Sequence, residues 1–414
     1  MDDQLQVPKI TTDIVIVGGG VAGLGAAIAL AAYGMHITVI ERRAQVGGIH
    51  RGDSLLPKSS ALLTKWGLRS AIEAAGARPI YHMEIHAPGD QYVYQAPLTS
   101  PQAPHPYFVL PHARLEAVLM ERAASLPNVR VIRPASFVDI IRANATGRAC
   151  GVRYRQGESA EELRCRMIVA ADGQHSLVRK RIGIGFKSFS YDHAYLGLEA
   201  DRPAGYQDAM RLHFHRDGGV LLMPHPDRIG VGVLVAAGSA KQWLSMDEAA
   251  LSALLVQRAP ILQGMALNMK GAHVYELTRA HADCYVKDGV VIIGDAAHCT
   301  NPTAGQGMAM ALGDAAALSG MLGRQWSMSP ESLDVVLRRF ETCQWPLNQQ
   351  LVRNSHWLAR AYALRGPVWT KVKLWGVMAL AKPAMQRFTS PLVSRFIHEL
   401  ENELPLGGFN WRDG

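Results

Sequence analysis

The sequence predicts an α/β protein. A discontinuous Rossmann-like dinucleotide-binding domain is interrupted by an inserted antiparallel-sheet domain and followed by a helical C-terminus. Three observations carry this reading. A buried apolar strand runs into a glycine-rich turn at Asp13–Gly23; a second such strand and turn recurs at Val290–His298 and continues to Gly307; and strand-like segments crowd the span 186–275 between them. The expected division gives residues 1–80, 104–185 and 280–350 to the nucleotide domain, 81–103 and 186–279 to the sheet domain, and 351–414 to C-terminal helices.

Each element follows from local chemistry. Ile14 to Val17 are continuously apolar, as a central parallel strand covered on both faces must be. Gly18 allows the tight turn, Gly20 lets backbone approach a pyrophosphate, and Gly23 lets helix and strand pack closely. The helix that follows, about 22–33, stops at Gly34, and the N–H groups at Val21 and Ala22 face an anion with the positive end of its dipole. A strand over 36–40 delivers Glu41, about 20 residues past the glycines, where a carboxylate reaches a ribose hydroxyl. Helix 111–125, short strands over 129–155 and a strand at 167–171 come next. Strands at 194–200, 210–215, 220–224 and 229–236 then form the insertion. In the second glycine segment, Gly294-Asp295 ends a buried strand, and Asp295 suits either a cofactor hydroxyl or a helix cap. Pro302 to Gly307 opens a helix whose positive end stabilises negative charge beside it, with Gly305, Gln306, Gly307 and Met308 at its start. Two dinucleotide segments far apart in one chain suit a single FAD, and therefore redox chemistry.

Composition narrows the class. With 414 residues, 48% hydrophobic and 19% charged, the chain is long enough for two or three domains with sizeable cores. It has no apolar run long enough to span a bilayer and no signal-peptide pattern, and its five scattered cysteines form no CxxC pair, which suits a reducing, cytoplasmic setting without a metal site. The net charge of +8 comes from dispersed Lys and Arg, an arrangement against nucleic-acid binding. Between Gly366 and Glu399, Trp369, Trp375, Met378 and Phe388 mix with Lys371, Lys373, Arg387 and Arg395. This stretch suits either a membrane surface or helices packed on the enzyme body. Oligomeric state is not legible.

Three motifs in order resemble the group A flavoprotein monooxygenases, the para-hydroxybenzoate hydroxylase-like family, over nearly the whole chain. They are Gly18/Gly20/Gly23 with Glu41-Arg42, then Ala171-Asp172-Gly173 with Ser176 and Arg179, then Gly294-Asp295 with Pro302 to Gly307. The resemblance implies FAD held by these residues, with Arg51 touching the flavin and Arg114 the phosphates. It further implies NADPH or NADH as reductant, and transfer of oxygen from O2 to an electron-rich aromatic substrate through a flavin C4a-hydroperoxide. The family's Asn beside the flavin edge is replaced by Ala309, which puts the usual flavin positioning and pairing with NADPH in doubt. His213 and His215 alternate with Leu212 and Phe214, so both share one face, either cavity or solvent. With Pro302 they are the candidate catalytic groups, while Leu222, Met223 and Pro224 suit a substrate-side wall. Two other readings stand beside the hydroxylase: an epoxidase or oxidoreductase of a prenyl or lipophilic substrate at a membrane surface, and a flavin-binding redox sensor. The signature of a flavin-dependent halogenase is absent.

Overall fold

The computed structural model describes residues 11–47, 52–143, 146–323, 325–326 and 329–381. Its nucleotide-binding core is a six-stranded sheet in the order 286–287, 290–292, 167–170, 14–17, 37–40, 129–132, parallel except at its first strand. Ile14 to Val17 sit at its centre and are almost wholly buried. Helix Val21–Ala31 is buried along nearly its whole length because it is sandwiched by helices His112–Ser125 and Gln306–Leu322. A helix covered on several sides has no polar face to show, which explains its run of Ala, Leu and Ile.

The second body is an eight-stranded sheet in the order 298–299, 273–282, 186–201, 228–236, 220–224, 210–213, 82–87, 91–97, and its one parallel pair joins 210–213 to 82–87. Alternation along strand Phe186–Asp201 divides its side chains between two faces. Ala194, Leu196, Leu198 and Ala200 point to the cluster formed with helix Glu248–Arg258. Tyr191 and Tyr195 point the opposite way, toward the long helix Pro330–Ala363.

Two expectations change. Strand 210–215 ends at His213, and His215 belongs to the turn that follows, where its ring stands by Asp217 at 3.5 Å. The long helix carries Pro346 in its interior and runs continuously through residue 350, so a division at 350/351 cuts an element. Proline removes one helical hydrogen bond there, but Phe340 on one side and Leu351 and Val352 on the other are buried, so tertiary packing holds both halves. Arg51 and the C-terminal residues from 382 onward, Arg387, Phe388 and Arg395 among them, lie outside the described residues.

Candidate FAD and substrate site

The first glycine segment makes a cradle because its backbone is stacked against itself. A Cβ on Gly23 would lie 1.9 Å from the Gly18 carbonyl oxygen, so only glycine lets the helix start this near the strand. Gly20 caps that helix without a side-chain hydrogen bond, and among the described residues only Glu116 Oε1 comes within 4 Å of where its Cβ would sit, at 3.7 Å. The N–H groups at Val21 and Ala22 are therefore available to an anion. Glu41 closes the cradle: its Oε2 accepts from Gly19 N at 2.6 Å and its Oε1 from Arg43 N at 2.8 Å. Arg43 also bonds both oxygens of Glu116, at 3.1 and 3.2 Å. Burial alone would raise the Glu116 carboxyl, but the bonds from His112 and Arg43 outweigh it and hold it below its ordinary value.

The other two motifs converge on this cradle. Gly18 is set against the Ala171 carbonyl, which brings Asp172 alongside, and a Cβ on Gly294 would meet the Ala22 methyl at 2.6 Å. Asp172 Oδ2 accepts from Leu177 N and Val178 N, at 2.8 and 3.1 Å, while its buried Oδ1 has no hydrogen-bond partner among the described residues. Burial lifts this carboxyl above its ordinary range. Arg179, nearly fully buried, donates to Ala296 O at 2.7 Å and Gln174 O at 2.9 Å and lies 3.6 Å over the Phe186 ring. It therefore clamps the Asp172-Gly173 loop to the Gly294-Asp295 turn, a positioning role. Beneath that turn, fully buried Asp314 accepts from Gly294 N, His298 Nε2 and Asn348 Nδ2, at 2.9, 2.7 and 2.9 Å. Half-buried Asp295 sits on the rim it supports. Gly305, at φ 64°, caps helix Gln306–Leu322 without a side-chain bond and lies against Ser54. An open cradle, two uncapped helix starts and an orphaned buried carboxyl oxygen fit a dinucleotide such as FAD. The residues that would hold it are Gly18, Gly20, Val21, Ala22, Gly23, Glu41, Asp172, Gly294, Asp295 and the segment Pro302–Met308. Ala309 is buried in this last helix.

Facing the Pro302–Gly307 segment is one side of the eight-stranded sheet. Tyr195 Oη meets Thr303 Oγ1 at 3.1 Å, and Asn301, fully buried, accepts from Thr303 N and Oγ1 at 3.0 and 2.7 Å. Burial pushes the Tyr195 hydroxyl up to about 12. On the same face Gly197 registers against Gly232 and Glu199 against Gly230, with Leu221 and Met223 one strand further on. Gly232 leaves a gap between two aromatic and apolar clusters, one around Tyr191 and Tyr195, the other around Tyr107, Met210 and Met223, while the His273 ring covers Gly197, 2.7 Å from where a Cβ would sit. At its edge, His225 Nε2 stands 3.1 Å from Asp53 Oδ2 and Nδ1 3.5 Å from Glu199 Oε1. Burial would lower this imidazole, but hydrogen bonds and charges from both carboxylates prevail and raise it to about 9. His225 in turn draws Glu199 below the usual carboxylate range. A buried imidazolium thus joins the flavin-side loop to the sheet.

Not every residue singled out in the sequence lies here. Arg42 is exposed; its neighbour Arg43 takes the ion pairs. Arg114 donates to Ala75 O at 3.1 Å and to Asp227, so its guanidinium is turned to the sheet-domain turn. His213 is wholly buried on the face opposite Met210, stacked on His86 at 4.6 Å, and is neither solvated nor in the cavity. The reason is parity: Met210 and Leu212 face the flavin domain, so Arg211 and His213 face away. His225, Glu199, Asp53 and Tyr195 had no sequence signal as a group, since the contacts joining them span up to 172 positions. The Arg51-to-Pro57 stretch containing Asp53 is the nearest hint.

The comparisons agree with this geometry. The profile of a family described as FAD binding domain matches residues 11–353. Among curated proteins, 3-demethoxyubiquinol 3-hydroxylase of Escherichia coli (strain K12) is 26% identical over 80% of this chain and 84% of its own. The 6-methylpretetramide 4-monooxygenase of Streptomyces rimosus is 25% identical over 79% and 80%. The crystal structure of p-nitrophenol 4-monooxygenase PnpA from Pseudomonas putida DLL-E4 superposes with a TM-score of 0.78 at 18% identity. It covers 94% of this chain and 98% of its own, a likeness of fold.

Proposed function

The chain belongs to the FAD-binding domain family and is an FAD-dependent monooxygenase; from that premise we propose that it hydroxylates a small phenol, quinol or polycyclic aromatic, with NAD(P)H as reductant. The observation that carries the reading is the sheet face opposite Pro302–Gly307: a gap at Gly232 beside the His273 ring, aromatic and apolar flanks, and one charged relay at its edge. A flat ring suits that gap, and Tyr195, Leu221 and Met223 exclude water around it. When bound, FAD supplies hydride acceptance and oxygen activation. The protein's own residues do the rest. His225 keeps Glu199 ionised, so Glu199 is an acceptor; a substrate hydroxyl that donates to it gains electron density in its ring, which favours attack on an electrophilic oxygen. Pro302 to Gly307 present the positive end of a helix, which favours negative charge on a reduced cofactor. The relatives named 3-demethoxyubiquinol 3-hydroxylase and 6-methylpretetramide 4-monooxygenase support this reading.

The experiment is NAD(P)H consumption by the FAD-loaded protein against phenols, quinols, quinolones, indoles and polyketide aromatics, with product mass measured. Substrate-stimulated oxidation with a gain of one oxygen atom is expected. Bound FAD with no stimulation by any of them would favour a redox sensor, and activity only with an added flavin reductase would displace NAD(P)H as direct reductant.

A membrane-side supply of substrate is a second part of the proposal, on a separate observation. Helix Pro367–Ala381 turns Val368, Trp369, Val372, Trp375 and Met378 outward at 45–71% exposure, with Lys371 on the same side, while Thr370 is buried and Lys373 bonds Tyr362 O and Leu364 O. A helix with its apolar side outward suits the interfacial region of a bilayer. No helix among the described residues is long and apolar enough to cross one. Co-sedimentation with anionic vesicles is expected, and Trp369→Ser/Trp375→Ser should abolish it; equal sedimentation of both proteins would overturn this part.

A further inference from the structure

We propose that His86, Asp90 and His213 form a binding site for one divalent transition-metal ion of the zinc class, on the face of the eight-stranded sheet away from the flavin. The strand pairing builds the site. Strands 210–213 and 82–87 run parallel with His213 opposite His86, and the turn into strand 91–97 brings Asp90 back over both. The two rings stack at 4.6 Å, and both Nδ1 atoms face Asp90 Oδ1, at 3.0 Å from His86 and 3.5 Å from His213. The three donor atoms lie within 4.8 Å of one another.

What points to a ligand is what these groups lack. His213 is wholly buried, and among the described residues neither of its ring nitrogens has a hydrogen-bond partner; Asp90 Oδ1 is buried and equally without one among them. Buried polar groups are almost always satisfied, so the unpartnered His213 ring beside Asp90 Oδ1 calls for a partner that these residues do not supply. The far nitrogen of His86 faces Glu84 Oε2 at 3.6 Å, and Glu84 is itself fixed by Arg211 Nε at 2.7 Å. Glu84 therefore stands behind the His86 ring beyond hydrogen-bond distance, while His86 Nδ1 lies 3.4 Å from Asp90 O. Two nitrogens and one carboxylate oxygen select zinc, cobalt or nickel over magnesium or calcium. The rings are stacked at 22°, so one must turn about its Cβ–Cγ bond for both Nδ1 lone pairs to meet at one ion; Asp90 then gives the third tetrahedral position and water the fourth.

The site sits at the joint between the main sheet and hairpin 82–97, which contributes Met83 to the apolar cluster around Tyr107 and Met223. Its role would therefore be to fix a wall of the substrate cavity from behind.

The test uses FAD-loaded full-length protein stripped with chelator, exposed to Zn2+ and freed of excess. One zinc per chain is expected, with Co2+ giving the visible absorption of a tetrahedral site. His213→Asn and Asp90→Asn should each weaken retention at least tenfold, whereas exposed His36→Asn should leave it intact. No zinc on the native protein, equal zinc on native protein and Asp90→Asn, or displacement by equimolar Mg2+ would each overturn the assignment. Asp90 lies on a partly exposed turn, so its variant decides the matter if His213→Asn fails to hold FAD.

Discussion

The lock formed by His225 between Asp53 and Glu199 makes the stability of this protein depend on pH in a direction that can be worked out. The imidazole sits near 6.5 in an unfolded chain and is raised to about 9 in the folded one. A group raised on folding contributes its full stabilisation below the unfolded value and loses it as pH climbs through the folded value. The window is therefore about pH 6.5 to 9. A shift of this size corresponds to about 3 kcal/mol, an upper bound because the two carboxylates share it. Spread over a chain of this length, with an unfolding entropy near 2 cal/mol/K per residue, that is about 3 °C of Tm if the chain unfolds as one unit. The perturbation is His225→Gln, which keeps an amide donor but cannot be charged. The assay is thermal unfolding of the FAD-loaded protein from pH 6 to 10. The advantage of the native protein over the variant should be greatest near pH 6 and shrink by roughly 3 °C by pH 10. Curves that stay parallel across the range would refute the claim that a buried imidazolium bridges the two domains.

Other consequences are more direct. Gly23→Ala places a methyl 1.9 Å from the Gly18 carbonyl oxygen, so the purified protein should be nearly colourless, read as FAD absorbance per chain. Asp314→Ala leaves Gly294 N, His298 Nε2 and Asn348 Nδ2 without their acceptor in a fully buried place. Loss of about 3–5 kcal/mol is expected in urea unfolding, along with weaker FAD retention. Tyr195→Phe removes only the bond to Thr303. It should cost about 1 kcal/mol or less of stability while lowering the fraction of NAD(P)H consumption coupled to product; full coupling would separate Tyr195 from the reaction.

How much of this was legible in the sequence depends on how local each feature is. The cradle of Gly18, Gly20 and Gly23 was readable because turn, close approach and helix start are fixed by neighbours within a few residues, and a glycine or an uncapped helix end means the same thing wherever it occurs. Helix 21–31 and the strand ending at Ala170 followed from apolar runs. The histidines failed for a related reason. Alternation told correctly that successive residues of a strand face opposite ways, but not which way was inward, so His213 was grouped with His215 when it belongs with His86.

Sequence alone therefore determined the fold class, the glycine-rich turn at Gly18–Gly23 and the kind of chemistry, since each rests on short-range backbone geometry and on motifs whose order survives any folding. Only the tertiary structure decided which side chains meet across the cavity. Asp53, Glu199 and His225 are joined by strand register and by the docking of one sheet on another, and register is set by the burial of many residues at once. The same cause turned Arg114 toward Asp227, buried Arg179 as a clamp between two motifs, and brought His86, Asp90 and His213 to one point.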